Sequence, residues 1–241
     1  MAKIHMTVQG KGGVGKSVIA SVIAQYKQQL GQNPSCVCLD PVNATFTGYK
    51  ALGAKHLQIM ENEDINKRKF DELIELIAES KDDVVIDTGS TSFISLTHYI
   101  ISNQIPALLT EMGHELVIHT VITGGQALLD TVNGFAQLAS QLPTNTCFVV
   151  WLNPFWGPVE YEGKSFEQLK AYATNKAKVS AIINIPTLKA ELHGRDFADM
   201  LKERLTFDEA IAMESRTIMT RQRLKQVKTQ LFEQLDNARV L

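Results

Sequence analysis

The sequence lacks any apolar run approaching the about 18 residues that would read as a membrane-spanning helix. It also lacks a leader pattern: the first residues pass straight into a strand pattern, and a soluble, cytoplasmic chain is expected. Excess charge is small, since 24 basic residues face 26 acidic ones for a net charge of −2. That balance argues against a protein that coats nucleic acid electrostatically, though a local basic face stays possible. Cysteine is scarce, with three residues (Cys36, Cys38 and Cys147) and no zinc-type spacing. Cys36 and Cys38 alternate along a strand pattern; they are expected on opposite faces, unable to chelate together, as buried free thiols. No internal repeat, low-complexity tract or linker divides the chain, so residues 1–241 are expected to form a single domain. A hydrophobic fraction of 44% and a charged fraction of 21% suffice for a sizeable core.

What is present is alternation. Lys3 to Gln9 places Ile4, Met6 and Val8 on one face of a short strand, and a glycine-rich turn leads into a helix that reaches about Gln29 and stops at Gly31. Ser35 to Leu39 reads as a second strand, closed by Asp40-Pro41 because proline cannot donate to a ladder. Further strands are expected at Val84–Asp87, Leu116–Ile122, Cys147–Leu152 and Val179–Ile185. Helical patterns around Leu73–Ile77, Phe93–Ile101, Ala127–Leu138 and Gly163–Asn175 separate them. Strand then helix, repeated, implies an α/β fold with a mostly parallel sheet and helices on both faces. From Phe207 onward the pattern is one long helical extension without Gly or Pro. Its part from Glu214 on carries Arg216, Arg221, Arg223, Lys225, Lys228 and Arg239 against Glu214, Glu233 and Asp236. Leu224, Val227, Leu231 and Leu235 form a stripe along it. Packing against the sheet is one reading of that stripe, and contact with membrane, DNA or a partner is the other.

The chemistry begins at Gly10-Lys11-Gly12-Gly13-Val14-Gly15-Lys16-Ser17, which satisfies G-x-x-x-x-G-K-[ST] between a strand and a helix. Glycines allow the backbone to wrap phosphates with its N–H groups inward. The helix start running through Val18 adds the positive end of its dipole. Lys16 is placed to reach the β- and γ-phosphates of a nucleoside triphosphate, and the Ser17 hydroxyl to ligate magnesium.

Lys11 is not required by that basic pattern. With it the loop resembles the deviant Walker A motif, K-G-G-x-G-K-[ST], of the ParA/MinD family of dimerising ATPases. The resemblance implies ATP and Mg2+ as cofactors and a homodimer when ATP is bound, with Lys11 acting on the partner's phosphates. A solvated lysine that neutralises phosphate within its own chain is the alternative. Met1 to Lys27 looks like the TraL-type proteins of plasmid conjugal transfer. That resemblance implies an ATP-switched accessory of conjugative transfer or plasmid maintenance, with conjugation or partition proteins as partners.

Two carboxylates fall where such chemistry needs them. Asp87 ends an apolar strand at the edge of the sheet where ligands of open α/β folds bind, and Asp87-Thr88-Gly89 resembles the family's Walker B segment. Asp40 ends strand two, where the family carries two carboxylates one residue apart, one of which positions or activates water. Only one acid stands here. If Asp40 matches the earlier acid, Asn43 lies near the second place and cannot be a base; if the later, Asp40 remains the candidate base. The second alignment is favoured, because Asp-Pro followed by Asn-Ala-Thr resembles a partition ATPase's switch. Slow hydrolysis is expected, suiting a timer. Asn153, just past a strand, matches the family's base-contacting asparagine, and Pro186 matches the loop that closes over the base. No guanine-reading Asn-Lys-x-Asp segment is present.

A different class of function, a metabolic ligase or phosphotransferase similar to dethiobiotin synthetase, would use a related fold and loop with a second pocket for a small acid. An iron–sulfur reductase would need two cysteines bridging a dimer axis; the cysteines here fall within strand patterns instead.

Overall fold

The computed structural model describes residues 2–62 and 64–241. Its centre is a seven-stranded sheet of β1 (Lys3–Thr7), β2 (Ser35–Cys38), β3 (Lys55–His56), β4 (Val84–Asp87), β5 (Glu115–Thr123), β6 (Cys147–Asn153) and β7 (Val179–Asn184). The order across it is β7-β6-β5-β1-β4-β2-β3, and every pairing is parallel. Parallel strands need crossovers, and helices α1 (Lys16–Gln29), α2 (Lys69–Glu79), α3 (Phe93–Ser102), α4 (Ile105–Glu111) and α5 (Leu128–Gln141) supply most of them. Four more follow: α6 (Lys170–Asn175), α7 (Arg195–Lys202), α8 (Phe207–Ala212) and α9 (Ile218–Ala238).

The strand period of two assigns the core to two layers. Ile4, Met6, Val8, Val84 and Ile86 join Phe70, Leu96 and Phe135 on one face. Val85, Val117, Val149 and Trp151 join Ile19, Phe207, Leu224 and Leu231 on the other. Cys36 and Cys38 both belong to the second layer, not to opposite faces, because residues two apart on a strand share a side. They are free thiols, and burial pushes Cys36 up to about 12 and Cys38 up to about 11.

A polar chain crosses that second layer. Trp151 Nε1 donates to His119 Nδ1 at 3.0 Å, and His119 Nε2 meets His5 Nδ1 at 3.0 Å. The indole can only donate, so His119 carries its proton on Nε2 and donates to His5 in turn. Burial, joined by the Lys27 charge, pushes His119 down to about 3, and burial likewise lowers His5, so both rings are neutral. Beyond His5, Asp83 takes a hydrogen bond from the buried Lys27 ammonium and another, at 2.7 Å, from the backbone N–H of Lys3.

The C-terminal region departs from a single helix. It breaks at Met213, whose backbone turns extended, and restarts at Ile218 behind Thr217, whose side chain accepts from the Thr220 N–H. Along α9 the stripe of Leu224, Val227, Leu231 and Leu235 is buried, and Tyr26 of α1 donates to Asp236 at 2.6 Å. Three of the basic residues are paired within the chain: Arg216 with Glu203, Arg223 with Asp196 and Lys228 with Asp208. The segment from Gly163 to Asn175 is not one helix either. Glu162 and Gly163 both have positive φ and turn a hairpin between Glu160–Tyr161 and Lys164–Ser165, and a 3-10 turn at Phe166–Gln168 precedes α6. No helix among the described residues is long and apolar enough to cross a membrane.

Candidate functional site

Every strand of the sheet points the same way, so the loops that follow β1, β2, β4, β5, β6 and β7 gather on one edge. The glycine loop leaves β1 there. Its first anchor is Gln9, buried, whose amide donates to Val121 O at 2.9 Å and Thr131 O at 3.1 Å while accepting from the Gly10 N–H at 2.9 Å. Gly13 and Gly15 have φ of +72° and +105°, where an L side chain would be strained. Gly15 caps α1 without a side-chain acceptor, and the first turn holds no acid, so its N–H groups are left for an outside anion.

Lys16 is only 7% exposed, and its ammonium donates to Lys11 O at 3.2 Å. Burial lowers its proton affinity, and the Asp87 and Asp40 carboxylates raise it again. Asp87 lies beside it because β1 and β4 align Thr7 with Asp87. Asp87 is fully buried: Thr7 Oγ1 donates to Oδ1 at 3.2 Å, whereas Oδ2 has no hydrogen-bond partner among the described residues. Burial pushes this carboxyl up to about 6; the Ser17 hydroxyl, the Lys16 ammonium and the Thr7 hydroxyl pull it down, and the Asp40 charge adds to the rise.

A buried carboxylate oxygen without a partner, next to a serine hydroxyl, is a donor set that fits a hydrated magnesium ion. No group of three or more His, Cys, Asp or Glu side chains encloses a metal among the described residues. Magnesium bound with a nucleotide needs only one or two carboxylates, since water and phosphate fill the remaining places.

Asp40 follows β2 and is half-buried, its Oδ1 accepting from the Val42 and Asn43 N–H groups, each at 2.9 Å. The loop after β4 presses against it, since a Cβ on Gly89 would fall 2.9 Å from Asp40 Cγ. The structure thus brings Lys16, Ser17, Asp40 and Asp87 to one place.

On the other side of the loop opens a mainly apolar cavity of about 550 Å³, lined among others by Gly13, Gly15, Val18, Asn153, Pro186 and Phe197. Asn153 is committed to backbone at both ends of its amide. Nδ2 donates to Val14 O at 2.9 Å, and Oδ1 accepts from the Phe155 N–H at 3.1 Å. One N–H and one lone pair remain for a ligand. The far wall, with Leu188, Phe197 and Leu201, comes from α7 and the turn before it, which the strand-and-helix alternation does not reveal. The sequence signal for it is Phe197, Met200 and Leu201 at helical spacing.

Lys11 points away from Lys16. Its ammonium pairs with Asp130 Oδ2 of α5 at 2.7 Å, both side chains about half exposed, at 45% and 58%. Nothing local in the sequence indicates that partner, which lies 119 positions away.

No family model matches the chain. Two proteins of Escherichia coli, each called "Protein TraL", are 71% and 68% identical to it, with all of this chain and all of each relative covered. Among solved structures, MinD in the MinC:MinD cell division complex of Aquifex aeolicus superposes with a TM-score of 0.54. Identity there is 14%, over 98% of this chain and 96% of that one. MinD of the same organism gives 0.52, with 15% identity over 96% and 97%. At that identity the likeness establishes the fold alone, a parallel sheet flanked by helices on the plan of MinD.

Proposed function

Because the chain belongs to the TraL family, we propose that it is an ATP-binding, slowly hydrolysing dimerisation switch. It would serve as an accessory in plasmid conjugative transfer or partition, folding as a single nucleotide-binding unit. The observation that carries this reading is the buried Lys16 ammonium beside the unpartnered Asp87 Oδ2, under a helix start with free N–H groups. A buried ammonium with a single carbonyl acceptor and a buried carboxylate oxygen without a partner are costly unless a ligand completes them. A triphosphate with magnesium supplies both complements.

In this reading Gly10 to Val18 cradle the phosphates, and Ser17 and Asp87 hold the metal with Asp40 close by. Magnesium, when bound, neutralises phosphate charge. The base enters the apolar cavity between Asn153 and Pro186. Hydrolysis is slow because the segment after β2 offers one acid, and its Oδ1 is spent on its own loop. Lys11 is held by an exposed ion pair worth at most about 1 kcal/mol, so a partner's phosphates can draw it off Asp130 at little cost. The buried stripe and internal ion pairs of α9 support a packing role for that helix over a lipid or DNA contact.

The test is mass by light scattering with and without ATP and Mg2+. The wild-type chain should shift towards a dimer with nucleotide. Lys16→Ala should lose nucleotide binding, and Lys11→Ala should bind nucleotide yet stay monomeric. A dimer that forms equally well without Lys11 would remove the shared-site reading.

A further inference from the structure

Large apolar side chains stand exposed on the loops of the nucleotide edge. Phe155 is 71% exposed and Trp156 60%, their rings in a T-shaped contact with centroids 4.8 Å apart. Val42 in the loop after β2, Ile94 in the first turn of α3 and Leu129 in the first turn of α5 are exposed on the same edge. Single exposed apolar residues are ordinary, but an adjacent exposed aromatic pair, on an edge that carries further exposed apolar side chains, marks a contact surface.

The pair is held rigidly. The Pro154–Trp156 turn closes with the Gly157 N–H donating to Pro154 O at 3.0 Å. Its backbone then lies against Gly124 and Gly125, so tightly that a Cβ on Gly124 would fall 2.0 Å from Gly157 O. A pre-ordered aromatic tip loses little freedom on docking.

It is also wired to the phosphate loop. Asn153 grips Val14 O of the phosphate loop with one end of its amide and the Phe155 N–H with the other. Phe155 itself lines the cavity beside the loop. The rim carries a matched pair of charges as well, Lys11 and Asp130, both half exposed. Under a two-fold axis a Lys11 that crosses to the facing copy's phosphate loop also comes beside that copy's Asp130, whose own lysine has crossed the other way, so the rim is complementary to itself.

We propose that the Phe155–Trp156 tip is the aromatic anchor of the nucleotide-dependent contact with a second copy of this chain. This rests on the switch reading above and names the residues that carry its affinity. Tyr and Trp anchors near the centre of interfaces dominate binding energy. Phe155 borders the cavity while Trp156 stands outside its lining, so the tip is already presented to a facing copy before docking.

The chain contains its own probe. Of its two tryptophans, Trp151 is 1% exposed, leaving Trp156 as the one that a collisional quencher reaches. Acrylamide quenching of wild-type fluorescence should fall when ATP and Mg2+ drive dimerisation and stay high in the monomeric Lys11→Ala protein. By sedimentation, Trp156→Ser should keep nucleotide affinity within about threefold while weakening the dimer at least about tenfold, the loss of a modest hot spot. Trp156→Phe should restore most of that loss, which separates an anchoring ring from a folding defect. If the wild-type chain dimerises but Trp156→Ser dimerises within about twofold of it, or Trp156 stays fully quenchable in the dimer, the anchor is refuted and the switch stands. If nucleotide never dimerises the wild type, both fall together.

Discussion

Asp87 offers a prediction in which metal-free stability and metal binding move in opposite directions. Its carboxyl is buried and raised to about 6 in the metal-free protein, against about 3.9 for an exposed aspartate. The folded chain therefore holds this proton more tightly than the unfolded chain. The stability it contributes is fully present below the unfolded value and is lost as pH rises through about 6. The gap between those two values corresponds to about 3 kcal/mol over the whole pH range, of which about 1.4 kcal/mol falls between about pH 5 and pH 7.5. Asp87→Asn keeps an oxygen to accept from Thr7 and removes the titration. For a chain of this size about 1.4 kcal/mol is roughly 3–6 °C in Tm. Thermal melts in chelator, with no nucleotide, should show the variant gaining about that much on the wild type between the two pH values. Adding Mg2+ and ATP should reverse the ranking at the higher pH, because only the wild type binds metal there. A Tm difference between the two proteins that does not change with pH would refute the burial argument, and one that changes the other way would show a carboxylate stabilised by its surroundings.

Two further outcomes test the frame around the site. Asp83→Ala strands the buried Lys27 ammonium and should cost about 3–5 kcal/mol, whereas Lys27→Met leaves Asp83 its Lys3 N–H and should cost clearly less; equal losses in chemical denaturation would contradict this asymmetry. Gly124→Ala forces its new methyl into Gly157 O and Pro158 O, so it should lower stability by about 1–3 kcal/mol and alter Trp156 quenching, and an unchanged melt with unchanged quenching would show the two loops are free to part.

Much of this arrangement is legible in the amino-acid order alone, for physical reasons. The phosphate loop declares itself because the fold tolerates only glycine at positions such as Gly13 and Gly15. The central strands declare themselves through continuous apolar runs buried on both faces, such as Val84-Val85-Ile86. Asp87 is legible as the polar end of that run. What stays hidden depends on partners distant in sequence or on weak local signals. The Lys11–Asp130 pair joins the starts of two separate crossovers, 119 positions apart in the chain. The break between α8 and α9 carries no Gly or Pro, only Thr217 as a cap for the restart. Pro106 sits in the first turn of α4, a short helix that the pattern between Ile101 and Leu116 does not announce, and its missing N–H costs nothing there. The two-residue turn at Glu162-Gly163 passes for helix because its flanking strands are two residues each, too short to show a period.

The chain of Trp151, His119 and His5 has a further consequence. Its two hydrogen bonds run in a single direction, from the indole, which can only donate, to His119, and from His119 to His5. Those side chains come from β6, β5 and β1, three neighbours in the sheet, where the apolar neighbours on the same layer are Val117, Val121 and Val149. A one-way relay adds to the register that burial already imposes, because a slip by one residue turns each ring to the opposite layer and leaves both donors unanswered. The relay therefore works as an alignment key for the middle of the sheet, setting β1, and with it the start of the glycine loop, at one height against its neighbours.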